Sequence, residues 1–134
     1  MNEYTVELRI FGKELDASVI TVELELEPVQ VRTAGEMLSA TKRWDEGMWA
    51  YDGFSPSNGS KKWSSLEEGL TFILEKVAPV RDKLNDYKKT FSLVFWCGHF
   101  QSEWNSSFTL SASTLQLLAD LGADLFVDSY ISTE

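Results

Sequence analysis

Cysteine and histidine occur once each in this 134-residue chain, as Cys97 and His99. One cysteine cannot close an intramolecular disulfide, and it leaves no Cys-x-x-Cys pair for redox or metal chemistry. Proline is sparse and no low-complexity or repeated segment occurs, so neither a linker nor a solenoid is expected. No apolar run approaches the ~20 residues that a membrane-spanning helix requires. The opening Met1-Asn2-Glu3-Tyr4 has neither a basic region nor an apolar stretch behind it. A signal peptide is therefore not expected, and the cytoplasm is the expected location. The phosphate-cradling patterns Gly-x-Gly-x-x-Gly and Gly-Lys-Ser/Thr are missing, as is the calcium-binding EF-hand loop.

Positive charge is also scarce. Twelve Lys and Arg face 21 Asp and Glu, a formal net charge of −9. Nucleic acid and anionic membrane surfaces repel such a chain, whereas a basic protein is drawn to it. Hydrophobic residues make up 43% of the sequence, too many for a disordered chain. Length and composition together point to one α+β domain over 1–134.

Residues 4 to 11 alternate, with Tyr4, Val6, Leu8 and Ile10 on one face, which predicts a half-buried strand. The stretch 19–27 supports two readings. Ile20, Val22, Leu24 and Leu26 alternate with polar residues as in a strand, while Leu15, Val19, Val22 and Leu26 follow a helical stripe behind Asp16 as N-cap. Pro28 opens an extended piece to Arg32, and 42–63 is irregular and aromatic-rich, with one strand expected over 48–54. Two overlapping Ser-x-x-Glu capping boxes at Ser64 and Ser65 start a helix over 64–78, and Pro79 kinks it or opens another. Phe91 to Phe95 reads as a central strand, followed by a turn at Gly98 and a hairpin arm over 107–110. Ser111 caps a helix to Leu121 with Leu115, Leu118, Ala119 and Leu121 inward and Gly122 at its end. Asp124 to Ile131 forms the last strand. The expected fold is α+β: a mainly antiparallel sheet with about three amphipathic helices packed on one face.

Several fragments, taken in order, resemble a known family. They are Leu8-Arg9-Ile10-Phe11-Gly12, Leu15-Asp16, Ile20-Thr21, Leu26-Glu27-Pro28, Gly35-Glu36, Trp63 to Glu68, Pro79, Leu110-Ser111, Leu118 to Ala123 and Asp128-Ser129-Tyr130. Together they look like the small bacterial DUF4279 domain family. The resemblance implies a short helix before the Leu-Glu-Pro turn, so a helix is expected over 17–25. It implies no activity, cofactor or catalytic residue.

Cys97 and His99 would share a face of an extended strand, yet a zinc site would need carboxylates as further ligands, and buried cysteine is common. Glu67-Glu68 fits capping and the helix dipole, and Asp45-Glu46 fits solvated surface. No catalytic residue, metal or cofactor is assigned. The remaining signal is aromatic: Trp44, Trp49 and Trp63 crowd an irregular stretch beside Asp45 and Glu46. Rings in a polar loop form binding surfaces at small entropic cost, although they also close cores. Trp44, Asp45, Glu46, Trp49 and Trp63 are accordingly the candidate contacts for a basic protein partner. The expected role is non-enzymatic binding, with an immunity-type protein that neutralises a basic partner as one form. A sugar- or other small-molecule-binding module using the same Trp-rich loop is the alternative.

Overall fold

The structure, a computed structural model, describes residues 2–54, 61–102 and 106–131. Strand β1 (Glu3–Gly12) keeps the alternation expected of it, with Tyr4, Val6, Leu8 and Ile10 all buried. It lies at the centre of a five-stranded sheet, flanked by β3 (Gly47–Tyr51) and β4 (Ser92–Gln101). Strand β2 (Gln30–Arg32) extends one edge beside β3, and β5 (Asp124–Ile131) forms the other edge beside β4. The β2–β3, β3–β1 and β1–β4 pairs are antiparallel, and β4–β5 is parallel. A parallel neighbour needs a crossover, and α4 (Ala112–Leu121) supplies it between β4 and β5.

The ambiguous segment is helical. α1 (Ala17–Leu24) starts at Asp16, whose carboxylate accepts hydrogen bonds from the amides of Ser18 (3.0 Å) and Val19 (3.4 Å). Helical spacing then buries Ile20 and Leu24, and leaves Val22 75% exposed, where strand alternation would have buried it with Ile20. Glu25 ends the helix in the left-handed region at φ 55°. Trp49 on β3 clamps α1 to the sheet: its indole Nε1 donates to Thr21 Oγ1 at 3.0 Å.

α2 (Leu66–Val77) uses only one of the two possible capping boxes, with Ser65 Oγ accepting from the Glu68 amide. Glu67 turns away from its own helix and accepts from the Ser111 amide at 2.5 Å, tying α2 to the start of α4 (Ala112–Leu121). Its carboxyl is held below the usual range, chiefly by that backbone bond. Pro79 sits in a 3-10 turn (Ala78–Val80) that leads into α3 (Arg81–Tyr87). Lys83 Nζ and Tyr87 OH both reach Glu23, on its carbonyl and carboxylate at 2.6 Å each, and so fasten α3 to α1. The helices cover one face of the sheet, where Leu8, Ile10, Trp49, Leu70, Ile73 and Phe95 form the core. The architecture is α+β, as expected.

Four expectations need correction. β4 continues through Gly98 to Gln101, so no turn occurs there. A Cβ at Gly98 would stand 2.6 Å from Thr5 Oγ1 and 2.9 Å from Phe100 Cε2, so this glycine admits its neighbours over the strand and does not reverse the chain. Residues 107–110 are consequently not a hairpin arm and form no strand. In α4, Leu118 and Leu121 point inward, but Leu115 is exposed (48%) and so is Ala119. β3 stops at Tyr51, not 54; the expected loop of residues 55–60 lies outside the described residues.

Candidate functional site on the open sheet face

The same alternation that buries one side of each strand sets a second row of side chains on the other side. Thr5, Glu7, Arg9 and Phe11 occupy it on β1, Trp96, Gly98 and Phe100 on β4, and Asp124, Phe126, Asp128 and Tyr130 on β5. Register aligns them in cross-strand rows: Glu7 with Trp96 and Phe126, Thr5 with Gly98 and Asp128, and Glu3 with Phe100 and Tyr130.

Aromatic rings pair along these rows. Trp96 and Phe126 have ring centres 4.1 Å apart, and Phe100 stacks on Tyr130 at 5.0 Å. Phe126 and Tyr130 remain 40% and 49% exposed. Between the two ring pairs, beside Gly98, lies a hollow of about 190 Å³, bounded by Thr5, Glu7, Arg9, Trp96, Phe100 and Asp128 among others. Sequence patterning misses this site because a turn expected at Gly98 ends the strand before Trp96, Gly98 and Phe100 can form one row. The legible signal was Asp124-Phe126-Asp128-Tyr130, an acid–ring–acid–ring row at strand spacing.

Charge is unevenly compensated there. The Arg9 guanidinium lies over the Trp96 ring at 4.4 Å and bonds Glu7 at 3.4 Å, so Glu7 is already neutralised. Among the described residues Asp128 is paired with the Tyr130 hydroxyl alone, which donates to Oδ2 at 2.6 Å. That bond, more than burial or charge, raises the Tyr130 hydroxyl above its ordinary pKa. The hollow thus combines flat walls with a carboxylate that has no ion-pair partner among the described residues. Such a site accommodates a guanidinium or ammonium group, or a hydroxyl-rich ring.

The five expected contact residues do not converge. Trp44 is half-buried on the open-face side, where Arg32 stacks over it at 3.9 Å. Burial first, and the nearby Arg9 charge second, hold the Arg32 guanidinium below its usual pKa. Asp45 and Glu46 are exposed next to Trp44. Trp49 is different: it has no exposed surface and faces the helices, so it cannot touch a partner in this conformation. Trp63 also lies on the helix side, paired with Tyr4 and 5.2 Å from the Phe72 ring of α2. The sheet itself separates the two groups.

Cys97 and His99 do share a face, as strand geometry predicts, but it is the core face. Burial, and to a lesser degree the charge of Glu7, pushes the Cys97 thiol up to about 12, which suppresses the nucleophilic thiolate. His99 stacks on Tyr4 at 4.6 Å, with Ser106 Oγ 3.1 Å from Nε2 and Ser129 Oγ 3.5 Å from Nδ1. Among the described residues no cluster of three or more His, Cys, Asp or Glu side chains is placed to hold a metal. Nor is any described helix long and apolar enough to cross a membrane.

A family model described as a domain of unknown function, DUF4279, matches residues 2–132. No curated protein and no solved structure matches the chain.

Proposed function

The chain belongs to the DUF4279 family, whose description assigns no function, and we propose that it is a non-enzymatic domain that binds a basic protein partner on the open face of its sheet. An immunity-type protein that neutralises a basic partner is one form of this role. The supporting observation is the Gly98 hollow, where paired rings flank Asp128, a carboxylate without an ion-pair partner among the described residues, in a chain of net charge −9. A lysine or arginine of the partner fits between the rings and meets Asp128, while the long-range field raises the encounter rate. Exposed Asp45 and Glu46 add to that field beside the half-buried Trp44.

Affinity purification from the native cell at low salt tests this reading, with wild type run beside an Asp128→Asn/Tyr130→Ala double variant. A basic protein retained by wild type and lost by the variant is the expected result. A partner retained equally by both, or one that is acidic, sinks the proposal.

The small-molecule alternative draws on the same geometry. In the ring pairs Trp96–Phe126 and Phe100–Tyr130 the exposed members, Phe126 and Tyr130, offer stacking faces to a sugar, with carboxylates for its hydroxyls. Titrating intrinsic tryptophan fluorescence with a panel of sugars separates the readings. A saturable change lost in Trp96→Phe supports the sugar, and a flat response across the panel retires it.

A further inference from the structure

β5 is an edge strand of unusual openness. It pairs with β4 along all eight of its residues, and among the described residues no strand pairs with its other side. Segment 106–110, the nearest candidate to cover it, runs to the helix side, where Ser106 meets His99 and Phe108 packs edge-on against Tyr4 and His99. A free edge presents a row of unpaired backbone N–H and C=O groups, and natural sheets blunt it with short strands, charged side chains (lysine above all), proline or bulges. The opposite edge follows that rule, since β2 is three residues long. β5 is eight residues long, has no lysine or proline, and runs in register with β4 without a bulge. Its only charges are those of Asp124 and Asp128, which deter anionic and neutral strands but attract a cationic one.

The chemistry of this edge is as specific as its shape. On the open face β5 alternates carboxylate and ring as Asp124, Phe126, Asp128 and Tyr130. Among the described residues neither aspartate has an ion-pair partner. Side chains of an added strand would lie about 5 Å from these, directly opposite. A second copy of the chain suits the edge less well than a cationic segment, because it would bring −9 against −9.

We infer that the β5 edge takes up an extended cationic segment of the partner as a sixth strand, with alternate lysines or arginines facing Asp124 and Asp128. This rests on the basic-partner reading above. Backbone hydrogen bonds supply the affinity, and the alternating side chains supply the selectivity. The cation nearest Asp128 is the one that enters the Gly98 hollow.

The test uses the full chain, isotopically labelled for amide exchange, and a capped eight-residue peptide of alternating arginine and threonine at low salt. Binding should be saturable and should protect the β5 amides. N-methylating alternate peptide nitrogens keeps the charge but removes main-chain donors. In one of the two alternating patterns it should weaken binding by about tenfold, equivalent to about 1.4 kcal/mol. A glutamate–threonine peptide should not bind. If the arginine peptide perturbs Arg9 and Trp96 yet leaves β5 exchange unchanged, and neither methylation pattern matters, the edge inference is overturned while the open-face reading stands. If the peptide does not bind at millimolar concentration, both fall. Concentration-dependent protection of β5 without peptide would assign the edge to a second copy and overturn the inference as well.

Discussion

Two tryptophans five positions apart behave as opposites. Trp49 is fully buried with its indole N–H bonded to Thr21, whereas Trp44 is half-buried beneath Arg32. Trp49→Ala should cost about 3–5 kcal/mol, the range for emptying a large aromatic site. Trp44→Ala removes one partly exposed cation–π contact, worth about 0.5–1 kcal/mol. Urea denaturation of both variants checks the ordering, and equal losses would refute the assigned burial. At the same scale, the Cys97 thiol has its folded pKa raised from 9.0 to about 12 by burial. The fold therefore favours the neutral thiol. This contribution is fully present below pH 9.0 and is lost as the pH rises through the window up to about 12. Cys97→Ala should show a shallower stability decline across that window, and native Cys97 should resist iodoacetamide at pH 8 until the chain is unfolded.

Helix α1 shows how a local bond decides an element. Residues 19–27 satisfy a strand alternation, but Asp16 satisfies two amides that a strand would leave to other partners, and the burial of Ile20 with Leu24 completes a helical face. Its hydrogen bonds, first that from the Ser18 side chain, hold the Asp16 carboxyl below its ordinary 3.8. A depressed folded pKa means that the stabilisation is present above 3.8 and is lost as the pH falls beneath it. Asp16→Ala should lower the melting temperature at neutral pH, with the gap from wild type closing in acid. β4 carries the corresponding prediction for a strand. Gly98→Ala forces a methyl to within 3 Å of Thr5 and Phe100, so it should cost about 1–3 kcal/mol. It should also displace Thr5 and Phe100, which wall the hollow, and so weaken any ligand held there, which a binding titration at matched folded fraction would show.

Across the whole molecule the net charge of −9 acts on both folding and association. Like charges on a compact surface repel, so added salt should raise thermal stability until the repulsion is screened, over a Debye length of about 8 Å at physiological ionic strength. The same salt should slow association with a basic partner, and stopped-flow rates that do not change with ionic strength would count against electrostatic steering.

Patterns that repeat along one segment were legible in the sequence. The alternation of Tyr4 to Ile10, the Ser65 and Ser111 caps, Gly122 closing α4 at φ 74° and the run Asp124 to Ile131 all appear in the structure where local chemistry puts them. Each depends on near neighbours alone. The continuation of β4 past Gly98, the exposure of Leu115 and the division of the tryptophans by the sheet depend on which strands meet and in what register. A strand has two faces, and the sequence does not say which one the helices will cover. Tertiary packing set Trp49 against α1 and left Phe126 and Tyr130 in the open, because the helices bury one side of the sheet and the other side, covered at Met48 and Ala50 of β3, stays exposed at its β5 end.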